Sequence, residues 1–340
     1  MNSGISGVAT PMAEIQETLD GLLCRIREAG EKQIGYPANQ RIDYSPLFPF
    51  LDYSVNNIGD PFHASNYWAN SHEFEQDTHY SVLKNVRVLN ARYIMIKRQE
   101  NGEIDYGDLR DMIRVNRDVP AVIMANVGTT MRGAVDNIPQ IRHILDELLV
   151  SNAYIHADAA LSGMILPFVP EPQAFGFDAG IDSISVSGHK LIGAPAPCGV
   201  VLTKRPHVER VGRAVEYVGV HDTTLSGSRS GIAPLMLWYA LNRYGDDGLQ
   251  DLVSGMLENA EYAVQQFNRH GLKAWRHRNS VTVVFPKPPR EVFRKWQIAP
   301  EGTEAHIITM PHVTREMIDE LVNDCTAPLE LDPVTSEERD

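Results

Sequence analysis

The sequence predicts an α/β protein: a mainly parallel sheet domain followed by a small C-terminal α+β domain. Three observations carry this. Between residues 92 and 202, short apolar runs of strand length alternate with segments of helical periodicity, as parallel β-α-β units require. Three of those runs end in polar clusters, as strands of a parallel sheet do where they open into a ligand crevice. After Arg229 the order changes to two helical segments and then strand, helix, strand, helix, the pattern of a separate small unit.

The 340 residues suffice for one large and one small domain, and 43% hydrophobic with 22% charged residues permits a large buried core. A formal net charge of −13 argues against the basic footprint that nucleic-acid binding needs; it reads as a solvated acidic surface. Cys24, Cys198 and Cys325 form neither a CxxC pair nor a metal-ligand spacing, and an odd number suits no disulfide scaffold. Residues 1–30 lack an apolar leader, because Glu14, Glu17 and Asp20 interrupt them, and no stretch approaches the length of a membrane span. The expectation is a soluble cytoplasmic protein with no metal site and no nucleic-acid or membrane partner.

Residues 13–28 have helical spacing, with Ile15, Leu19, Leu22, Leu23 and Ile26 on one side. Tyr36-Pro37 and Ser45-Pro46 mark an irregular connector. Residues 92–96 read as a strand and 104–115 as a helix. Residues 121–125 read as a buried strand ending in a Gly-Thr-Thr turn, and 138–149 as a helix capped by Asp136 and Asn137. Strands follow at 153–155, 183–186 and 198–202. Beyond Arg229, helices are expected over 232–244 and 250–270, then a strand (280–285), a helix (290–297), a strand (305–310) and a helix (314–323). The domain boundaries are an N-terminal helical segment over 1–60, a large cofactor-binding domain over 61–245, a small domain over 246–330 and an acidic tail over 331–340. Trp238, Trp275 and Trp296 are expected to pack helices and strands, Met236 and Leu237 to be core, and Cys198 to be packed rather than reactive.

The three polar strand ends are Asn126-Val127-Gly128-Thr129-Thr130, His156-Ala157-Asp158-Ala159-Ala160 and Ser187-Gly188-His189-Lys190. A lysine at the mouth of a sheet is desolvated, so its amine deprotonates more readily and can form an imine. Asp158, at the end of another strand, can pair with a protonated pyridine nitrogen. Together they fit pyridoxal 5′-phosphate (PLP), whose ring then acts as an electron sink. Ala160 is small enough for a ring to lie against it, Ser187 and His189 can donate to a phosphate, and Thr130 adds a hydroxyl at the same rim. Singly, each residue has a plainer explanation: a strand-end Asp is most often a helix cap, a Lys there is most often solvated, and a His is most often structural. Their order within an α/β pattern makes the set specific.

HADAALSGMILPF over 156–168 and SVSGHKLIGAPAPCG over 185–199 closely resemble the group II PLP-dependent amino acid decarboxylases, in particular the bacterial histidine decarboxylases and plant serine decarboxylases. The resemblance covers most of the chain: IGYP (34–37), DTHYSV (77–82), NGEIDY (101–106), NVGTT (126–130), SGSRSG (226–231) and NSVTVVFP (279–286). It implies a fold-type I PLP-dependent transferase that works as a homodimer, with sites at the subunit interface. Position by position, it implies that Lys190 is the Schiff-base lysine and Asp158 the partner of the pyridine nitrogen. It makes His79 the histidine stacked on the PLP ring, and Ser187 and His189 phosphate-side residues. Ser226 and Ser228 belong to a segment that crosses the dimer interface, and Ser280 lies near the substrate. The 156–168 run favours histidine as substrate, giving histamine and CO2. NIGDPFHASNY (57–67) and the 305–313 stretch look closer to the serine enzymes, so serine or an aliphatic amino acid is the alternative.

One departure stands out. The family carries several tens of residues between its SNY…FE segment and DTHYSV, including a Gly-Thr-rich turn whose N–H groups cradle the PLP phosphate. Here Phe74-Glu75-Gln76 runs directly into Asp77, and no glycine lies between Gly59 and Gly102. Anion sites rest on clustered N–H donors, so weakened PLP affinity is expected, and a non-catalytic homologue is the competing reading.

Overall fold

The computed structural model describes residues 12–31, 34, 39, 41–52, 92–210, 213–215, 220–222, 230 and 232–327. Its central sheet has the order β1 (Ala121–Asn126), β2 (Ala153–Asp158), β3 (Ser183–Ser187), β4 (Gly199–Thr203). β1, β2 and β3 run parallel and β4 closes the edge antiparallel, so the sheet is mainly parallel as the alternating pattern predicts. The crossover from β1 to β2 is helix α3 (Ile138–Glu147), preceded by α2 (Tyr106–Val115).

Alternation along the strands decides which face is dry. Ile123 and Ala125 of β1 and Ile155 and Ala157 of β2 are buried and share one apolar cluster with Leu109 and Ile113 of α2 and Ile138, Ile141, Ile144 and Leu145 of α3. Each such aliphatic side chain contributes roughly 2 kcal/mol when removed from water. The opposite face carries Asn126, His156 and Asp158, which are only partly buried.

Asn137 caps α3, its side chain accepting from the Gln140 N–H at 3.0 Å. Asp136, expected as a second cap, does something else. It is buried, and its carboxylate takes the N–H of Asn126 at 2.7 Å and of Ile104 at 2.9 Å, tying the end of β1 to the preceding hairpin. Burial raises its pKa against the opposing pull of those two bonds. The expected strand over 92–96 is not seen: Tyr93, Ile94 and Met95 are 41–70% exposed, and residues 92–96 pair with no strand among the described residues. Propensity alone does not make a strand, because a strand is stabilised by pairing with a neighbour.

The C-terminal part is as expected in outline. Helix α4 (Ile232–Arg269) is broken at Gly245, whose φ of 59° and ψ of −171° are non-helical, giving the two helical segments read from the sequence. A three-stranded antiparallel sheet, β5 (Thr282–Pro286), β7 (Glu304–Ile308) and β6 (Ala299–Glu301), packs with α5 (Arg290–Lys295) and α6 (Arg315–Thr326). Trp296 is fully buried and Met236 is buried; Trp238 is 50% exposed rather than packed inside. Helix α1 (Met12–Gly30) forms, but Leu19, Leu22, Leu23 and Ile26 on its apolar side are exposed by 43–66%. Among the described residues no helix is long and apolar enough to cross a membrane.

Asp182, at the entrance of β3, binds three elements together. It accepts from Lys204 Nζ at 2.7 Å, Arg142 of α3 at 2.6 Å and the Ile155 N–H of β2 at 2.9 Å. Burial opposes its charge, but these donors outweigh burial and hold its carboxyl below the usual range. A depressed carboxyl pKa contributes stability that is full above the unfolded value of about 3.9 and is lost as pH falls through the folded value. Asp182→Ala should therefore cost about 3 kcal/mol at neutral pH in chemical denaturation, and the gap to the parent protein should close as pH falls below about 4. A gap that stays constant down to acid pH would contradict this.

Candidate active site

The strand register assembles the site. Asn126 stands opposite Asp158, and Asp158 opposite Ser185, so the three parallel strands end at one edge of the sheet. The two turns beyond are stitched together: Ala159 N–H donates to Ser185 at 3.0 Å and Ser187 N–H to Ala160 at 2.9 Å. Lys190 follows three residues after the end of β3, its N–H donating back to the Ser187 carbonyl at 3.3 Å. Asp158 and Lys190 are thereby brought to the same mouth.

The electrostatics match that placement. Burial lowers the pKa of the Lys190 amine, and the Asp158 carboxylate partly opposes the shift. Asp158 is itself oriented, one carboxylate oxygen accepting the Ala160 N–H at 3.3 Å. Gly188 has no room for a side chain: a Cβ there would lie 2.3 Å from Leu237 Cδ2 and 2.7 Å from the Cys198 sulfur. Cys198 is a packing residue, 4% exposed, with burial pushing its thiol up to about 11.

The other sequence candidates divide. His189 Nδ1 faces the Cys198 carbonyl at 2.9 Å and its N–H at 3.3 Å, which commits that nitrogen and leaves Nε2 for a ligand. Ala160 is half-buried and bridges the ends of β2 and β3. Thr130 is exposed on the turn after β1, where the neighbouring Thr129 closes the turn by accepting the Ala134 N–H at 3.0 Å. Ser280 is 7% exposed, accepts the Thr282 N–H at 3.1 Å, and packs so tightly on the β1 turn that a Cβ on Gly133 would meet its Oγ at 2.1 Å. These contacts give Ser280 a structural task between the turn after β1 and the strand that begins at Thr282. His79, Ser226 and Ser228 lie outside the described residues, as does the junction before Asp77.

Sequence reasoning missed a brace beneath the site. His156, two residues before Asp158 on the same face, contacts the buried Ser183 hydroxyl through Nδ1 at 2.6 Å and the buried Ser185 hydroxyl through Nε2 at 3.1 Å. One imidazole thus locks β2 to β3 where Asp158 and Ser185 stand in register. The signal was present as polar residues alternating inside two otherwise apolar strands.

The arrangement fits PLP at two of its three ends. A desolvated amine suits the aldehyde and a fixed carboxylate suits the ring nitrogen. For the phosphate, Ser187 and His189 are the described candidates.

Comparison with known proteins agrees. Residues 71–285 match the family described as the pyridoxal-dependent decarboxylase conserved domain. The chain is 41% identical to the histidine decarboxylase of Pseudomonas entomophila (strain L48), covering 86% of each chain. It is 42% identical to that of Vibrio anguillarum (strain ATCC 68554 / 775), covering 86% of this chain and 89% of the relative. The first alignment runs over 346 positions, more than the 340 residues here, while covering only 86% of them; the relative therefore holds internal residues that this chain lacks. Among solved structures, L-methionine decarboxylase from Streptomyces sp. 590 superposes with a TM-score of 0.82 at 20% identity, covering 95% of this chain and 96% of that one. The sphingosine-1-phosphate lyase of Burkholderia pseudomallei K96243 superposes with a TM-score of 0.73 at 16% identity, covering 96% and 92%. The fold is that of the fold-type I PLP enzymes, and the chain belongs to the pyridoxal-dependent decarboxylase family.

Proposed function

We propose that this protein is a PLP-dependent carboxy-lyase that converts histidine to histamine and CO2. The observation that carries the reading is a half-buried Lys190, its pKa lowered by burial, at the same mouth of the sheet as the oriented carboxylate of Asp158. The choice of histidine rests on the relatives, the histidine decarboxylases of Pseudomonas and Vibrio at 41–42% identity.

When bound, PLP supplies an electron sink that makes loss of CO2 from an amino acid feasible. Lys190 would hold its aldehyde carbon, Asp158 its ring nitrogen, and Ser187 with His189 Nε2 its phosphate. Asp158 would keep a proton at that nitrogen. Ala160 offers a flat, small surface beside the ring. Burial makes the Lys190 amine easier to deprotonate, which suits it to accept or return a proton at Nζ. His79 on the ring, Ser226 and Ser228 from across a dimer interface, and Ser280 toward the substrate complete the proposed set. The exposed apolar side of α1 supports a homodimer, because an uncovered row of leucine and isoleucine gains by burial against a second copy. A cytoplasmic location completes the reading.

Two alternatives have specific support. Serine or an aliphatic amino acid is favoured by the resemblance of residues 57–67 to the serine enzymes. A folded homologue with little hold on PLP is favoured by the aligned positions this chain lacks, which we place before Asp77.

Incubating the purified protein with PLP and a panel of amino acids, with direct detection of the amines, tests the reading. Histamine should be the main product. A predominant amine from serine or an aliphatic amino acid would replace the substrate assignment, and no amine from any substrate would favour the non-catalytic homologue. Lys190→Ala should fall to background, and Asp158→Ala should lower kcat by about a hundredfold or more. Gly188→Ala should lower activity by crowding Leu237 and Cys198 although it leaves both groups in place; unchanged kcat in that variant would show that the turn tolerates a shift.

A further inference from the structure

The chain leaving Lys190 has three successive carbonyls held from one distant segment. The Lys190 carbonyl accepts from the Asn39 N–H at 3.4 Å, and also from Gly193 at 3.0 Å. The Leu191 carbonyl accepts from Asn39 Nδ2 at 2.8 Å. The Ile192 carbonyl accepts from the Tyr44 hydroxyl at 2.8 Å. Asn39 is 6% exposed, and its Oδ1 accepts the Arg41 N–H at 2.9 Å, which fixes the amide with its nitrogen toward Leu191. Tyr44 is buried in a small apolar cluster with Leu47, Ile192, Ala194, Cys198 and Leu235. The approach is close: at Gly193, with φ of +64°, a Cβ would lie 2.3 Å from the Asn39 carbonyl oxygen.

We propose that Asn39 and Tyr44 are positioning residues for Lys190, a clamp that fixes the backbone from which the reactive side chain starts. This rests on the reading of Lys190 as the cofactor lysine. On its entry side Lys190 is held by the sheet, through its N–H to Ser187 and the Gly188 N–H to Cys198 at 3.0 Å. On its exit side the local turn supplies only Gly193 N–H and the Ala194 N–H bond to Gly188 at 3.1 Å. The clamp supplies the rest. A fixed backbone leaves only side-chain rotamers to be ordered when the amine meets an aldehyde, which raises the fraction of productive encounters. It also keeps the amine in its dehydrated place near Asp158.

The test measures covalent PLP on Lys190 itself. The full-length protein is mixed with PLP across a pH series, reduced with borohydride at timed intervals, and digested, and the modified peptide is quantified by mass. The variants are Asn39→Ala, Asn39→Asp and Tyr44→Phe, each checked for folding by circular dichroism and thermal melting. Tyr44→Phe keeps the buried ring and removes one hydroxyl, so it remains informative should the Asn39 variants fail to fold. Labelling of Lys190 should slow about threefold in Tyr44→Phe and about tenfold in Asn39→Ala. The pH midpoint of labelling should move upward in both, because a loosened amine regains water. Asn39→Asp keeps shape and the bond to Arg41 but cannot donate to Leu191, so it should behave like Asn39→Ala. Unchanged rates and midpoints in folded variants, or a parent-like Asn39→Asp, would overturn the clamp. Parent protein labelled at another lysine and not at Lys190 would overturn the reading of Lys190, and the clamp with it.

Discussion

Hydrogen bonding in register between β1, β2 and β3 sets the positions on which everything at the site depends. Asn126, Asp158 and Ser185 form one row across three strands, and the chemistry begins where that row ends. Two devices hold the register. Beneath the site, His156 reaches from β2 to Ser183 and Ser185 of β3. At the opposite end of the strands, Asp182 gathers Lys204, Arg142 and the Ile155 N–H. In a parallel sheet a slip of one residue would turn every side chain to the other face, and Asp158 would then point into the apolar cluster formed with α3.

The site balances burial against charge. Taking Lys190 out of water favours its neutral, reactive form, and Asp158 limits how far that shift goes. Too little burial would leave an ordinary protonated lysine. In the proposed reading, burial without Asp158 would leave nothing for a ring nitrogen to pair with. Gly188 lets Leu237 and Cys198 close around the turn, which keeps the lysine mouth dry at the level of the backbone.

Much of this was legible in the sequence, for physical reasons. Apolar runs that stop at Asp158 and Ser187 mark strand ends because a parallel sheet buries its strands and exposes only their termini. The break near Gly245 showed because helical periodicity stops there. Other features were not legible. Residues 92–96 have strand-forming side chains, but a strand needs a neighbour and no described residue pairs with them. Asp136 looks like a helix cap by position, yet its partners are the backbones of Asn126 and Ile104, set by tertiary packing. Asn39 and Tyr44 sit in what reads as an irregular connector, and their partners lie about 150 residues further along the chain. Ser280 matched a family pattern, while its described contacts include Gly133, Thr282, Arg276 and His277.

The phosphate end carries the sharpest tension. The lysine and carboxylate are in place, while the alignment with the Pseudomonas relative contains internal residues that have no counterpart here. Clustered N–H donors are what normally hold a phosphate; if the missing residues include such donors, as we propose, the covalent and ring-nitrogen ends would carry most of the cofactor's binding. A titration of the purified protein with PLP, followed by absorbance, tests directly whether those two ends suffice. A new band that saturates with added PLP, and is absent from Lys190→Ala, is the expected result. No saturable band at high PLP, or the same band in Lys190→Ala, would contradict it.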